Sequence, residues 1–122
     1  MLVVEDDAEV RGLFEYALGT AYELTQVADA ESAWLLLDGE SRFDAVVTDF
    51  ALPGLSGLGL LARVRTSSRL SDMPIVIVSG HGEPLRRGAL RAGADGYLAK
   101  PFAVRELRTA LSIAIEQRAR AV

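Results

Sequence analysis

The sequence predicts an α/β domain of the doubly wound type, in which a parallel sheet lies between two layers of helices. Short apolar runs without polar alternation recur along the chain, which is typical of strands that are covered on both faces. Amphipathic segments with helical spacing separate these runs. Five strand and helix pairs of this kind give a (βα)5 three-layer sandwich. Right-handed crossovers favour the strand order 2-1-3-4-5 for such a string of elements.

Length and composition limit the class of protein. The chain has 122 residues, of which 50% are hydrophobic, and this fits one globular domain over residues 1–122. There is no cysteine, which excludes disulfides and thiolate metal sites. The net charge of -4 argues against direct binding of nucleic acid, which needs a basic surface. No apolar run approaches the roughly 20 residues of a membrane span, so we expect a soluble, cytoplasmic protein without membrane insertion.

The first strand and helix can be assigned from the opening of the chain. Residues 1–4 are apolar and predict a strand that ends at the acids following it. Asp7 or Asp6 can cap the next helix, and Gly19 stops it. The apolar stripe of this helix is expected at Val10, Leu13, Phe14, Ala17 and Leu18.

The remaining elements follow as apolar runs separated by glycine, proline and polar turns. Strands are predicted over residues 23–27, 44–49, 75–78 and 97–99, and helices over 29–38, 58–65, 83–92 and 104–118. The helix over 83–92 is expected to be the least stable one, because Gly88 and its polar faces weaken it.

Charged and hydroxyl side chains end several of the predicted strands. Asp49 closes the third strand, and Pro53, Gly54 and Gly57 enforce a loop directly after it. Ligands bind at the carboxyl ends of strands in open α/β sheets. The other strand-end groups are Glu5 and Asp6 after the first strand, Ser79 after the fourth and Lys100 after the fifth. We therefore expect these groups to converge at one edge of the sheet.

The convergence of these groups predicts a metal cofactor and a phosphoryl-transfer reaction. Carboxylates held close together resist ionisation unless a cation accompanies them. Mg²⁺ suits a site of one or two carboxylates with waters and a phosphate. Beside that ion, Asp49 would accept a phosphoryl group, and Lys100 and the Ser79 hydroxyl would stabilise its equatorial oxygens.

Five motifs occur in order along the chain: Val3-Val4-Glu5-Asp6, Val47-Thr48-Asp49, Leu52-Pro53-Gly54 with Gly57, Val78-Ser79-Gly80, and Ala92-Gly93-Ala94-Asp95-Gly96-Tyr97 running into Lys100-Pro101-Phe102. Together they resemble the receiver domain of two-component response regulators over essentially the whole chain. The resemblance implies a flavodoxin-like topology and phosphorelay signal transduction. The phosphodonor would be a histidine kinase or a histidine phosphotransfer domain. A downstream protein or output domain would detect the phosphorylated state. The domain would not be an enzyme, although it would assist its own phosphorylation and dephosphorylation.

The resemblance also implies the ligands of the metal. Asp6 would bind Mg²⁺ directly and Glu5 would bind it through water, while Asp49 and the backbone carbonyl of Ala51 complete the protein ligands. Asp7 lies one position beyond the acid pair of the family, so we assign it to helix capping.

A switch is implied at Ser79 and Tyr97. Phosphorylation would draw the Ser79 hydroxyl toward the phosphate, and the ring of Tyr97 would enter the space that it leaves. The face formed by the fourth helix, fifth strand and fifth helix would change as a result. A cis peptide bond is also implied between Lys100 and Pro101.

Two other functions are compatible with the sequence. The first is a degenerate receiver that acts as a docking module without phosphorylation. The second is a flavodoxin-like carrier of a small molecule, which would need a glycine- and hydroxyl-rich loop after the first strand. Acids stand there instead. A weak homodimer through the last helices is also compatible with the sequence. Ala51 lies two residues past Asp49 and His81 lies two residues past Ser79, and these neighbours leave the dephosphorylation rate open.

Overall fold

A computed structural model describes residues 1–120 of the chain, and in it five strands alternate with five α-helices. The strands are β1 (Leu2–Val4), β2 (Thr25–Val27), β3 (Val46–Asp49), β4 (Ile75–Ser79) and β5 (Gly96–Ala99). The helices are α1 (Ala8–Leu18), α2 (Ala30–Asp38), α3 (Gly57–Thr66), α4 (Arg86–Arg91) and α5 (Val104–Arg120), and a 3-10 turn, Glu83–Leu85, precedes α4. The predicted alternation of strands and helices is confirmed.

All five strands are parallel and form one sheet in the order β2-β1-β3-β4-β5. The predicted fold class and strand order are therefore confirmed. Val4 pairs with Thr48 between β1 and β3, and Asp49 pairs with Val78 between β3 and β4. This register brings the carboxyl ends of the strands to one edge of the sheet.

The apolar runs are buried because successive strand residues point to opposite faces, and each face carries a layer of helices. One core contains Leu2, Val46 and Ile75 from the strands, packed with apolar residues of α2, α3 and α4. The second core contains Val3, Val47 and Val76, packed with residues of α1 and α5. Both faces of the sheet are thus covered, as the continuous apolar runs predict.

Polar side chains define the starts of three helices. Asp7 caps α1 by accepting the backbone N–H of Glu9 at 2.8 Å. Asp29 caps α2 by accepting the N–H of Ser32 at 2.7 Å, and Ser56 caps α3 in the same way. Each cap satisfies a backbone donor that has no partner inside the helix. The capping role assigned to Asp7 is therefore observed.

Two helices differ from the sequence prediction. The segment over 83–92 divides into a 3-10 turn and six α-helical residues, with Pro84 in the turn and Gly88 in the helix. In α1, Leu13 was expected on the packed stripe but is 59% exposed. Phe14, Ala17 and Leu18 are the buried residues of α1 and Val10 packs partly against the same core, so the apolar stripe is narrower than the spacing indicates.

A buried charge network lies at the amino ends of the strands, on the side of the sheet opposite the strand-end acids. The guanidinium of Arg65 donates to Asp95 Oδ2 at 2.9 Å and to the carbonyls of Ser71 and Met73. Asp95 also accepts Arg118 Nε at 2.8 Å. The side chains of Arg65 and Asp95 are only 14% and 10% exposed. This network therefore joins α3, the start of β5 and the end of α5.

Loss of the Asp95 carboxylate is expected to destabilise the fold. Asp95→Ala leaves two arginines without their shared partner, and breaking a buried pair in this way costs about 3 kcal/mol or more. Urea unfolding measures the loss. Glu116→Ala provides the control because it removes an exposed ion pair with Arg120, which is worth less than about 1 kcal/mol. Similar small losses in both variants would show that the network does not stabilise the fold.

Candidate functional site

The strand-end groups meet at the carboxyl edge of the sheet. Asp49 is the last residue of β3 and Ser79 is the last residue of β4, whereas Lys100 directly follows β5. The backbone N–H of Lys100 donates to the carbonyl of Ser79 at 2.7 Å, which joins the ends of β4 and β5. Glu5 and Asp6 follow β1, the neighbour of β3.

One ammonium group connects two of these strands. Lys100 Nζ donates to Glu5 Oε1 at 2.9 Å and to Asp49 Oδ2 at 3.0 Å. Glu5 is 1% exposed and Asp49 is 6% exposed, so both carboxylates are largely removed from solvent. Charge-assisted hydrogen bonds of this kind are stronger than neutral ones. Lys100 thus holds the acids of β1 and β3 together.

The acids form a compact group that suits a hard cation. One carboxylate oxygen from each of Glu5, Asp6 and Asp49 lies within 4.8 Å of the others. Asp6 is exposed, whereas the other two carboxylates are buried. The group therefore has a solvent-facing side and offers only oxygen atoms, which are the ligands that Mg²⁺ prefers.

Burial and hydrogen bonding change the protonation behaviour of the site. Burial raises the pKa of Glu5 above its ordinary value, although the hydrogen bonds from Lys100 and from the N–H of Asp7 oppose this effect. Burial lowers the pKa of Lys100, but hydrogen bonds to Glu5 and Asp49 outweigh that effect and raise it overall. The ammonium is therefore retained at neutral pH, and Glu5 resists ionisation.

The loop after β3 must pass close to the acceptor candidate. A Cβ added at Gly57 would lie 2.2 Å from the backbone oxygen of Asp49, so no larger residue fits there without movement. Gly57 also donates its N–H to the carbonyl of Phe50 at 3.0 Å. Ala51 lies in the exposed bend that follows Phe50. Its role as a carbonyl ligand stays a prediction.

The two switch candidates both contact the loop between β4 and α4. Ser79 Oγ accepts the N–H of His81 at 3.0 Å, and the hydroxyl of Tyr97 donates to the carbonyl of Gly82 at 2.6 Å. The Tyr97 ring is 2% exposed. The resemblance implies that the ring enters the space that Ser79 leaves when it moves toward a phosphate. In this structure the ring is already buried, and its hydroxyl is bonded to the carbonyl of Gly82.

Several neighbours were not singled out from the sequence. Arg11 Nη1 donates to the carbonyl of Glu5 at 2.8 Å and fixes the turn after β1. The guanidinium of Arg86 lies over the Tyr97 ring, 5.4 Å from its centroid. These contacts join residues on different elements, so helix or strand periodicity carries no signal for them. The peptide bond between Lys100 and Pro101 is cis, as the resemblance implies.

Comparison with known proteins agrees with the fold. The family model of the response regulator receiver domain matches residues 1–112. The fold and the acidic strand edge thus define a receiver-type domain. The chain belongs to the response regulator receiver domain family.

Individual relatives support this membership. The chain is 38% identical over 117 residues to transcriptional regulatory protein FixJ of Bradyrhizobium diazoefficiens, with 94% of this chain and 56% of FixJ covered. It is 32% identical over 120 residues to chemotaxis protein CheY1 of Helicobacter pylori, with 94% and 95% covered. The receiver domain of sensor histidine kinase PA1611 from Pseudomonas aeruginosa PAO1 superposes with a TM-score of 0.84 at 32% identity, with 94% and 95% covered.

The matched relatives differ in how much of their length this chain represents. It spans about half of FixJ and of two further regulators, at 56%, 46% and 47% of their lengths, but nearly all of CheY1 at 95%. No helix within residues 1–120 combines the length and apolarity that crossing a membrane requires.

The raised pKa of Glu5 predicts a pH dependence in the metal-free protein. The protonated carboxyl of Glu5 stabilises the fold, because its folded-state pKa lies above the unfolded value of 4.5. This contribution is fully present below pH 4.5 and is lost as pH rises through the folded-state pKa. The stability of Glu5→Gln relative to wild type should therefore increase as pH rises above 4.5. Urea unfolding in EDTA measures this difference.

The same substitution at an exposed position, Glu9→Gln, is the control for that series. The change in the stability difference with pH should be larger for Glu5→Gln than for Glu9→Gln. Equal changes in the two variants would contradict the raised pKa of the buried carboxyl.

Proposed function

We propose that Asp49 accepts a phosphoryl group from a histidine kinase or a histidine phosphotransfer domain, in the presence of Mg²⁺, as one step of a phosphorelay. The observation that carries this proposal is the contact of Lys100 with both Glu5 and Asp49, at 2.9 and 3.0 Å. It supports a pocket in which an acceptor carboxylate, a cation and a group of acids lie together. Membership of the receiver family supports the same chemistry, since receiver domains are phosphoacceptors.

The donor set fits Mg²⁺. Three carboxylates within 4.8 Å, one of them exposed, provide hard oxygen ligands and leave room for water or a phosphate. The related receiver domain of PA1611 was solved with a magnesium ion coordinated in its active site cleft. In this chain Asp6, Asp49 and the Ala51 carbonyl would hold the ion directly, and Glu5 would hold it through water. When bound, Mg²⁺ would supply positive charge beside the transferring phosphoryl group.

The residues of the chain account for the remaining chemistry. One Asp49 oxygen already accepts from Lys100, and the other would attack phosphorus. An oxygen–phosphorus bond forms as the phosphorus–nitrogen bond of the donor phosphohistidine breaks, and the electron pair returns to the imidazole, which takes up a proton. Lys100 and the Ser79 hydroxyl would stabilise the equatorial oxygens. Water can later cleave the acyl phosphate, with the same groups assisting.

Signal output is proposed at the face formed by α4, β5 and α5. Ser79 and Tyr97 both contact the loop that leads into α4. Movement of the Ser79 hydroxyl toward a phosphate would break its bond with His81 and so alter this loop. A downstream protein or an output domain would detect the altered face. We further propose that the reaction takes place in the cytoplasm with its kinase, and that a weak homodimer would form through the last helices.

Two alternatives are less well supported. A docking module without phosphorylation would have no need for buried acids held by a lysine. A small-molecule carrier would need a phosphate-binding loop after β1, where Glu5, Asp6 and Asp7 would repel the ligand.

Phosphorylation at Asp49 can be tested with a small phosphodonor. Wild-type protein incubated with acetyl phosphate and Mg²⁺ should gain the mass of one phosphoryl group, measured by intact mass spectrometry. Asp49→Asn should gain none, since its amide is not a nucleophile. Asp44→Asn is the matched control, because Asp44 precedes the same strand at the opposite edge of the sheet and should leave the adduct unchanged.

The metal requirement belongs to the same experiment. EDTA and Asp6→Asn should each abolish the adduct or slow its formation at least tenfold. Asp7→Asn should keep it, since asparagine caps a helix as well as aspartate does. A wild type without the adduct, or Asp49→Asn with the same adduct as wild type, would refute the proposed function.

A further inference from the structure

Two groups that contact the buried ring of Tyr97 belong to the turn that leads into α4. Its hydroxyl donates to the carbonyl of Gly82 at 2.6 Å, and the guanidinium of Arg86 lies 5.4 Å from its centroid. Both partners lie within the five residues that lead from the loop into α4. A cation over an aromatic face attracts the ring, so Arg86 favours the inward position.

Glu83 holds Arg86 in the orientation that covers the ring. Its carboxylate accepts Arg86 Nε at 2.6 Å and Arg86 Nη2 at 3.1 Å, which is a two-point contact with a planar guanidinium. The side chains of Arg86 and Glu83 are 40% and 69% exposed. The pair is therefore open to solvent and to screening by salt.

The turn that carries these groups also contacts the other switch candidate. The N–H of His81 donates to Ser79 Oγ, and the next residue, Gly82, accepts the Tyr97 hydroxyl. Gly82 has a φ of 70°, which a residue with a Cβ rarely adopts. A change at Ser79 would thus reach the ring of Tyr97 through two consecutive residues.

We propose that Glu83 and Arg86 are positioning residues that hold Tyr97 inward before any phosphoryl group is present. This inference rests on the proposed function for its consequence at Asp49. If the phosphorylated state also has the ring inward, these two residues favour that state in advance. By linkage they raise the affinity of the site for a phosphoryl mimic by the same factor as they raise the inward population.

The position of the ring can be measured without phosphorylation. Protein labelled with 3-fluorotyrosine gives a ¹⁹F resonance for each of three tyrosines, and Tyr97→Phe assigns the one of interest. Tyr16, 78% exposed, provides the reference for a solvated ring. Arg86→Met should increase the outward fraction of Tyr97 about two- to fivefold, the range expected for an exposed cation–π contact. Arg87→Met removes the same charge from the next, exposed position and should leave the resonance unchanged.

Two further arms isolate the role of the ion pair. Glu83→Gln should shift the Tyr97 resonance in the same direction as Arg86→Met, by a smaller amount. Raising salt from about 0.05 M to about 1 M should shift wild type toward Arg86→Met and leave that variant unchanged. Equal resonances in wild type and Arg86→Met, or equal shifts in Arg86→Met and Arg87→Met, would overturn the proposal. Equal resonances in wild type and Glu83→Gln would overturn the part assigned to Glu83.

The link to Asp49 is tested by binding of beryllium fluoride with Mg²⁺. Arg86→Met should weaken binding by the same factor by which it lowers the inward fraction of Tyr97 in the ¹⁹F spectra. Arg87→Met should leave binding unchanged. Unchanged affinity in Arg86→Met would overturn the coupling to Asp49. Absence of binding in wild type would instead count against the proposed function, while the ¹⁹F comparison would still decide whether Arg86 positions the ring.

Discussion

The contact of one lysine with two buried carboxylates is the interaction on which the site depends. Glu5 and Asp49 end different strands, and burial alone would make both charges costly, at several kcal/mol per uncompensated ion. Lys100 offsets that cost because its ammonium reaches both acids at once. Its position follows from the parallel order β1-β3-β4-β5, which brings the ends of these strands to the same edge.

Separate interactions organise the two edges of the sheet. At the opposite edge, the arginines Arg65 and Arg118 surround Asp95 and fix the ends of the helices. That network has a structural role, since its carboxylate and backbone acceptors are fully engaged. At the carboxyl edge the acids exceed the one ammonium, and Asp6 remains exposed. The excess of negative charge there makes a cation a reasonable ligand, and that cation would offset the repulsion between these acids and a phosphoryl group.

Much of the fold and most of the site could be predicted from sequence because both depend on local pattern. Apolar runs predicted the strands, and the polar residues at the carboxyl ends of β1, β3, β4 and β5 were the candidates at one edge. The exposure of Leu13 could not be predicted, since helical spacing does not define how wide a face the sheet covers. Nor could the roles of Arg65 and Arg86, because they depend on contacts with Asp95 and Tyr97 that only the folded chain creates.

The ammonium of Lys100 offers the most direct measurement of the central claim. Lys100 is the only lysine, so a lysine-selective ¹H–¹⁵N spectrum of the metal-free protein contains one side-chain resonance that needs no assignment. We expect slow hydrogen exchange and a resonance that shifts in both Glu5→Gln and Asp49→Asn, because each variant loses one acceptor, and that stays in place in Asp44→Asn. A resonance with the exchange rate of a solvated lysine, identical in all of these proteins, would contradict the account.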